Sequence, residues 1–488
     1  GFIATRLGKP EKRILSLALK ALKNLSHRGA NSFDQNSGDG SGLMFDIPQK
    51  FFRKYILENQ GIKLKKNQKI AVAMVFCHSK NHQYFDDELV INAKKEGLTF
   101  LAKRLVPTEK KYLGEISQKE MPFIYQYIFA FERFSDLEIE RKLYLARKIV
   151  EKKFLKKNKS PYICSFSSKT IIYKGLMSSF QLDKFYKDLL DPDFLIRLAI
   201  FHERFSTNTF SSWKMAQPFR MIAHNGEFNT IKGSRLWMNA RESNLSSPVW
   251  KEKIDLLKPI VSTNGSDSES FDNLLEFINR SGRSIFDAMM IMIPDSYNQI
   301  EKYYNNNVMS RKMRDYFIYH ENFMKPWDGP AALVFTDGNF VGAKMDRNGL
   351  RPLRYTLTKC GLVIMGSEAG IVEVDDNNLI ANYHMKSEEI FGVDLNSGEI
   401  LKNKNIKINE ATKKPYGNLV KSNVHSIKRE TRLKGFDNFL VAPFFQKSYN
   451  PTDYDLILED MKKFIIPMSE KVSEPIGSMG DDTPLAFL

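Results

Sequence analysis

The stretch AALVFTDGNFVGAKM, residues 331–345, consists of two apolar runs of strand length joined by Asp337-Gly338. Asp-Gly is a preferred centre of a two-residue hairpin turn, so the two runs are predicted to pair as antiparallel strands. An Asn-Gly turn and a Cys-Gly turn follow before Val374 and indicate further hairpins. Strands and helices come in blocks without the regular spacing of βαβ units, which favours an α+β fold over a doubly wound parallel sheet.

Apolar periodicity predicts four elements in the first hundred residues. They are a strand over residues 1–6, a helix over 11–25, a strand over 70–76 and a helix over 86–96. After residue 398 the chain becomes polar and rich in lysine. A boundary is predicted there, which gives a first domain over residues 1–410, a linker over 411–435 and the start of a further domain over 436–488.

The composition argues against several classes of protein. Hydrophobic residues make up 42% of the 488 residues, and no run reaches the ~18 apolar residues that a membrane span needs. The net charge of +16 comes from lysines in solvated runs without zinc-finger or RNA-binding signatures, so we expect no nucleic-acid partner. Three widely separated cysteines, Cys77, Cys164 and Cys360, argue against a disulfide framework and predict a reducing, cytoplasmic location.

Two short segments have the residue types of a metal or phosphate site without the required pattern. Cys77, His78 and His82 have plausible ligand spacing, but no fourth ligand is nearby, so no metal site is predicted. Residues 38–42, Gly-Asp-Gly-Ser-Gly, lack the Lys-Ser/Thr of a P-loop. Residues 346–349, Asp-Arg-Asn-Gly, are ordinary turn chemistry and are interpreted as structural support.

The segments most specific to one chemistry are residues 202–209, His-Glu-Arg-Phe-Ser-Thr-Asn-Thr, and residues 223–229, Ala-His-Asn-Gly-Glu-Phe-Asn. Arg204 offers a cation that can grip both oxygens of a carboxylate. Asn225 and Gly226 offer two N–H donors for the oxyanion that forms when an amide is attacked. Together these are the donors that hydrolysis of an amino-acid amide needs.

These segments resemble the substrate pocket of class II glutamine amidotransferases, and in detail the glutaminase domain of glutamate synthase large subunits. Further motifs keep that family's order along the chain: residues 1–4, 27–30, 38–42, 266–268, 326–330, 336–338 and 346–352. Residues 477–486 resemble the opening of the synthase's central domain. The resemblance implies an Ntn-hydrolase fold, a four-layer αββα sandwich of antiparallel sheets, with residues 436–488 as the C-terminal stub of a second domain.

The resemblance also implies roles for individual residues. Arg204 would bind the α-carboxylate of glutamine and Asp267 its α-ammonium, while Asn225 and Gly226 would form the oxyanion hole. The remaining predicted residues are Phe205 and Thr207 as further substrate contacts and Arg28 as a support for the loop beside the nucleophile. Two structural alternatives stay open, because Asn-Gly is a common hairpin turn and residues 266–269, Ser-Asp-Ser-Glu, form a capping box in which Asp267 could merely complement a helix dipole.

In this family the nucleophile is an N-terminal cysteine, which this sequence does not contain; it is expected three residues before Gly1, as Cys-Gly-Val, and the sequence is expected to be truncated at both ends. The thiolate, with its own α-amine as base, would attack the side-chain amide, release ammonia and leave a thioester for water to hydrolyse. An internal channel would then carry the ammonia to a synthase site that makes glutamate from 2-oxoglutarate. The alternative is a catalytically inactive glutamine-binding module, and an amidotransferase of another branch also stays open.

The family's other components are expected outside this segment. No cofactor is predicted within it; FMN and a 3Fe-4S iron–sulfur cluster are expected in the missing C-terminal part, since three scattered cysteines do not hold a cluster. The expected partners are L-glutamine, the FMN-binding synthase domain of the same polypeptide, and a small subunit with NADPH, or ferredoxin, as electron donor. The resemblance therefore implies the glutaminase portion of an oxidoreductase.

Overall fold

The structure is a computed structural model that describes residues 1–31, 34, 36–155, 160–204, 211–262, 265–296 and 308–424. Phe205 and Thr207, the predicted further substrate contacts, lie outside the described residues. So does the predicted stub over residues 436–488, and the domain bounds stay a prediction.

Strands and helices are named in chain order. The strands are β1 (Phe2–Thr5), β2 (Ser41–Asp46), β3 (Lys69–Cys77), β4 (Thr99–Leu105), β5 (Phe123–Phe131), β6 (Tyr162–Ser167), β7 (Thr170–Gly175), β8 (Leu198–Glu203), β9 (Ile222–Gly226), β10 (Ala331–Thr336), β11 (Phe340–Met345), β12 (Arg354–Thr358), β13 (Leu362–Gly366), β14 (Leu379–His384), β15 (Ile390–Asp394) and β16 (Ile400–Leu401). The helices are α1 (Lys12–Asn24), α2 (Gln49–Gln60), α3 (Gln83–Lys95), α4 (Glu115–Lys119), α5 (Asp136–Phe154), α6 (Ser179–Phe185), α7 (Ile231–Glu242), α8 (Asp267–Arg280), α9 (Ile285–Met292), α10 (Val308–Glu321), α11 (Asn403–Thr412) and α12 (Tyr416–Asn423).

Two antiparallel sheets face each other at the centre of the fold. The first has seven strands in the order β14-β12-β13-β1-β8-β2-β7, and the second has five in the order β16-β15-β11-β10-β9. Apolar side chains from both sheets share one buried core, which includes Phe2, Met44, Ile200, Val334 and Val341. Helix α1 covers the outer face of the first sheet, and α8 and α9 cover the outer face of the second. The predicted four-layer αββα sandwich of antiparallel sheets is confirmed.

A third antiparallel sheet, in the order β4-β5-β3-β6, was not predicted. One face of it joins the core under the seven-stranded sheet, and the other face packs on α3 and α5. The strand predicted over residues 70–76 is confirmed as β3. The helix predicted over residues 86–96 begins earlier, at Gln83, and ends at Lys95.

Two of the three glycine turns predicted to close hairpins do so. Asp337-Gly338 joins β10 to β11, and Cys360-Gly361 joins β12 to β13. The prediction is wrong for Asn348-Gly349, because β11 belongs to the five-stranded sheet and β12 to the seven-stranded sheet. This segment crosses between the sheets, and its turn is closed by the Gly349 N–H, which donates to Asp346 Oδ1 at 3.0 Å.

Helix α12 lies within the region predicted as a linker. Tyr416 is 3% exposed, and its ring lies 5.2 Å from the ring of Tyr316 on α10. The sandwich is therefore flanked by α10, α11 and α12, which pack together beyond its five-stranded sheet.

Candidate active site

A cavity of about 750 Å³ opens where β8, β9 and the first turn of α8 come together. Strand β8 belongs to the first sheet and β9 to the second, so the site lies at one end of the sandwich and draws residues from both sheets. The described residues that were predicted for the site all line this cavity: Arg28, Arg204, Asn225, Gly226 and Asp267. Gly1, the first residue of the chain, lines it as well.

Arg204 follows directly on β8 and is held by its backbone. Its N–H donates to Gly40 O at 2.8 Å, which keeps the chain paired with the segment before β2. The residue is 9% exposed, and this burial lowers the pKa of its guanidinium, an effect that the negative charges of Asp39 and Asp267 oppose. A buried cation at a cavity wall is suited to hold the carboxylate of a ligand.

Asn225 and Gly226 are the last two residues of β9, which is the edge strand of its sheet. They pair with Ala332 and Ala331 of β10, so the interpretation of Asn-Gly as a hairpin turn is wrong. The side chain of Asn225 is exposed to the cavity and makes no hydrogen bond within the described part of the chain.

The backbone N–H groups of β9 alternate in direction, as in any antiparallel strand. On one side Thr336 N–H donates to Met221 O before the strand and Glu227 N–H donates to Pro330 O at 3.3 Å after it, so the odd-numbered residues of β9 face β10. On the other side Ile222 N–H donates to Asp272 Oδ1 at 3.2 Å and His224 N–H donates to Gln217 Oε1 at 2.9 Å.

Gly226 is the next residue of β9, after Ile222 and His224, whose N–H points outward, and it lies at the cavity. Its N–H therefore points away from β10, and it has no partner among the residues that the structure describes. The amide side chain of Asn225 and the backbone N–H of Gly226 thus offer two free donors at one wall, which is the arrangement that an oxyanion requires.

The backbone conformation and the close packing at position 226 require glycine. Its φ is +127°, and a Cβ there would lie 1.8 Å from Pro330 O. We expect Gly226→Ala to lower the free energy of unfolding by about 3 kcal/mol, because the strained backbone and the clash with a carbonyl act together. Denaturant unfolding followed by circular dichroism measures this.

The matched control is Gly233→Ala on α7, where a Cβ would meet no atom within 4 Å. Gly233 lies in the first turn of this helix, where the change should stabilise the protein by up to about 1 kcal/mol. Equal effects of the two substitutions would contradict a special backbone requirement at Gly226.

Asp267 is the first residue of α8, and Ser266 caps the helix by accepting from Glu269 N–H at 3.1 Å. Burial raises the pKa of Asp267, but His224 at 3.8 Å and the backbone N–H groups of Phe228 and Ser268 hold it well below its usual range. The helix-capping interpretation and the ligand interpretation are therefore compatible. Asp267 sits in the first helical turn and also presents a carboxylate to the cavity.

Arg28 lies in the loop that follows α1, and its guanidinium pairs with Glu368 in the loop after β13. His27 Nε2 lies 2.9 Å from the same carboxylate. The loop is also tied to Arg204, because Ala30 N–H donates to Arg204 O at 3.4 Å. These contacts place Arg28 at the rim of the cavity as a link between two loops.

Three further cavity residues were missed by sequence reasoning. Burial raises the pKa of Glu203 to about 8, and Ser179 N–H donates to its Oε1 at 3.3 Å. The guanidinium of Arg235 on α7 donates to Gly265 O at 2.5 Å and to Ser266 O at 3.1 Å, just before α8. Arg351 also lines the cavity. Glu203 and Arg351 belong to motifs already noted in the sequence, whereas nothing in the sequence near Arg235 indicates its contact across 30 residues.

Metal ligands are not grouped in the described part of the chain: no cluster of three or more His, Cys, Asp or Glu side chains there could hold an ion. No helix among those residues is long and apolar enough to cross a membrane.

Comparison with known proteins identifies the family. Residues 1–419 match the family described as glutamine amidotransferases class-II, and residues 452–488 match the glutamate synthase central domain. The chain is 38% identical over 494 residues to the ferredoxin-dependent glutamate synthase of Pyropia yezoensis. It is also 38% identical over 492 residues to the large chain of the NADPH glutamate synthase of Bacillus subtilis (strain 168).

Both alignments cover 100% of this chain and 31% of the relative, so the chain spans about a third of the length of these curated relatives. The family match over residues 1–419 includes both central sheets and every residue of the cavity. The chain belongs to the class II glutamine amidotransferases.

Proposed function

We propose that this chain forms the glutamine pocket of a protein that hydrolyses the side-chain amide of L-glutamine and supplies the ammonia to a synthase domain that makes glutamate from 2-oxoglutarate. The observation that carries the proposal is the convergence of Arg204, Asn225, Gly226 and Asp267 on one cavity from three separate elements. A cation, an anion and two N–H donors match the carboxylate, the ammonium and the reacting amide of one glutamine molecule.

Substrate selection follows from the two charges. Arg204 would hold the α-carboxylate in a bidentate contact, and Asp267 would hold the α-ammonium. An amide without the amino-acid head group would lack both contacts and bind weakly. Phe205 and Thr207 remain proposed substrate contacts by family resemblance, and Arg28 remains a proposed support for the loop at the cavity rim.

Strand register supports the proposed position of the nucleophile. Gly1 and Phe201 exchange two backbone hydrogen bonds of 2.9 Å, and Phe2 pairs with Ile200 in the same antiparallel register. If β1 continued before Gly1 in the same register, each earlier residue would pair with the next residue of β8 after Phe201. The third residue before Gly1 would then stand opposite Arg204, at the wall that carries the substrate-binding cation.

In the proposed reaction the thiolate of a cysteine at that position attacks the amide carbon, and the C–O π electrons move to the oxygen. Asn225 and Gly226 donate to this oxyanion. The C–N bond then breaks, ammonia leaves with the proton that the α-amine took from the thiol, and water hydrolyses the thioester to glutamate.

The synthase step belongs to the proposal for the whole protein and not to the described residues. Cys77 and Cys164 are buried in the cores on opposite faces of the third sheet, and Cys360 lies in the β12–β13 turn, so these cysteines do not fit an iron–sulfur cluster. FMN, the 3Fe-4S cluster and a small subunit with NADPH, or ferredoxin, are proposed for the rest of the assembly. A cytoplasmic location is proposed with them, in keeping with three unpaired cysteines.

Replacing Arg204 or Asp267 by Ala should weaken glutamine binding about tenfold or more, because a hydrogen bond to a charged group contributes roughly 1.5–3 kcal/mol. Calorimetric titration of the folded variants with glutamine checks this. The 488-residue chain lacks the nucleophile, so glutamine should stay intact during the titration.

Two control variants test whether the loss of binding is specific to the cavity. Arg197→Ala removes an arginine that precedes the same strand β8 and pairs with Asp46 outside the cavity. Asp136→Asn removes the first-turn carboxylate of α5, which a serine caps as Ser266 caps α8. Both controls should bind glutamine as the parent does. Unchanged binding by the Arg204 and Asp267 variants as well would refute the proposed pocket.

A further inference from the structure

The buried side chains of His224 and Ser268 form a chain of hydrogen bonds from β9 to Asp267. His224 Nε2 lies 3.1 Å from Ser268 Oγ, and Ser268 Oγ lies 3.1 Å from Asp267 Oδ1. His224 is 5% exposed and Ser268 is 4% exposed, so bulk water does not compete for these contacts. The family resemblance assigns no role to this pair.

The direction of the hydrogen bonds follows from which atoms are satisfied. His224 Nδ1 is buried and has no hydrogen-bond partner in the described part of the chain. A proton on Nδ1 would leave a buried donor unpaired, which costs more than an unpaired acceptor. The proton is therefore assigned to Nε2, which donates to Ser268 Oγ. The serine hydroxyl is then free to donate its single proton to Asp267 Oδ1.

These contacts distinguish the two oxygens of Asp267. Oδ1 accepts from Ser268 N–H at 2.7 Å and from the Ser268 hydroxyl, so both of its lone pairs are engaged. Oδ2 accepts from Phe228 N–H at 3.0 Å and has capacity for one more donor. His224 Nε2, at 3.8 Å from Oδ2, is too distant to fill it.

We infer that Ser268, oriented by His224, is a positioning residue that fixes the carboxylate of Asp267 so that Oδ2 receives the α-ammonium of the amino-acid substrate. The inference rests on the proposed function, since it assumes that Asp267 binds glutamine. It adds that recognition of the ammonium depends on a hydroxyl that does not touch the substrate.

The test compares two ligands that differ only at the α-carbon: L-glutamine and 4-carbamoylbutanoate, which lacks the amino group. Ser268→Ala should weaken glutamine binding about fivefold, because Asp267 keeps its charge and loses only one of the hydrogen bonds that orient it, and should leave binding of 4-carbamoylbutanoate unchanged. Titration calorimetry on the 488-residue chain measures both dissociation constants. Equal weakening of both ligands would mean general loosening of the site and would overturn the inference.

Ser281→Ala is the matched control. Ser281 ends the same helix, and its hydroxyl also makes two hydrogen bonds, to Phe277 O at 2.6 Å and from Trp250 Nε1 at 2.8 Å. Its loss should leave the preference for glutamine over 4-carbamoylbutanoate as it is in the parent. A shift as large as that of Ser268→Ala would overturn the positioning role.

A double-mutant cycle tests whether Ser268 acts on the ligand through Asp267. In an Asp267→Asn background, Ser268→Ala should change the ligand preference by less than about twofold, because the carboxylate it positions is gone. A full additional effect there would overturn the inference. A parent chain that shows no preference for glutamine at all would instead refute the proposed function.

The tautomer gives a readout that does not depend on ligand binding. Protein labelled with nitrogen-15 histidine should show His224 protonated on Nε2, its signals being identified by their loss in His224→Gln. A proton on Nδ1 would reverse the hydrogen bonds and overturn the inference.

Discussion

Glutamine hydrolysis should appear when Cys-Gly-Val with a free amino terminus is placed before Gly1. If β1 continued in its register, this cysteine would lie opposite Arg204, at a cavity that is lined by the residues proposed to contact the carboxylate, the ammonium and the oxyanion. Activity should rise from none to a measurable turnover, since a covalent step becomes available that water alone does not provide. Release of ammonia, measured in a coupled assay, reports it.

A serine in place of the added cysteine should abolish the activity and leave glutamine binding intact. The internal thiols do not substitute for the added one, because none of the three lines the cavity. Burial raises the pKa values of Cys77 and Cys164 to about 12. Burial also raises the pKa of Cys360, but hydrogen bonds with Thr358, Asn378 and Arg13 lower it to about 7, and this thiol lies in the β12–β13 turn, away from the site. If the extended protein binds glutamine but releases no ammonia, the chain is better explained as a glutamine-binding module.

Asn225→Ala in the extended protein should lower the turnover number by ~10²–10³-fold, because it removes one of the two proposed oxyanion donors. The Michaelis constant should change much less, since the donor acts mainly on the tetrahedral state and not on bound glutamine. Steady-state kinetics separates the two parameters.

Asn382→Ala is the control for this substitution. Asn382 is an exposed asparagine on β14 that pairs with Thr356, outside the cavity, and its loss should leave both kinetic parameters unchanged. A raised Michaelis constant with an unchanged turnover number in Asn225→Ala would assign Asn225 to ground-state binding instead.

The parts of the fold that local chemistry controls were predicted from the sequence. Asp337-Gly338 closes the hairpin that its turn preference indicates, and α1 follows its apolar periodicity. Asn225-Gly226 and Asn348-Gly349 have the same local preference and close no hairpin. A dipeptide does not specify its pairing partner, and for β9 the partner strand begins more than 100 residues later, at Ala331.

The sequence predicted the site residues but not the contacts that hold them in place, because those contacts join distant segments. Family motifs indicated Arg204, Asn225, Gly226 and Asp267, and the structure brings them to one cavity. Their supports depend on contacts between distant segments. The carboxylate of Asp272 on α8 holds the start of β9, and only the three-dimensional structure shows this connection. The third sheet was missed because β3, β5 and β6 pair across intervals that contain whole helices.

The outward edge of β9 has a consequence for the solubility of the protein. An unprotected edge strand invites pairing with another chain and hence aggregation. Here the side chains of Asp272 and Gln217 occupy two successive outward N–H groups, so an intruding strand would find them already engaged. Among the residues that the structure describes, none accepts from the outward N–H of Gly226, which lies at the end of the strand and at the wall of the cavity. The strand thus resists intermolecular association along its length while remaining open at the one position where a small anion would bind.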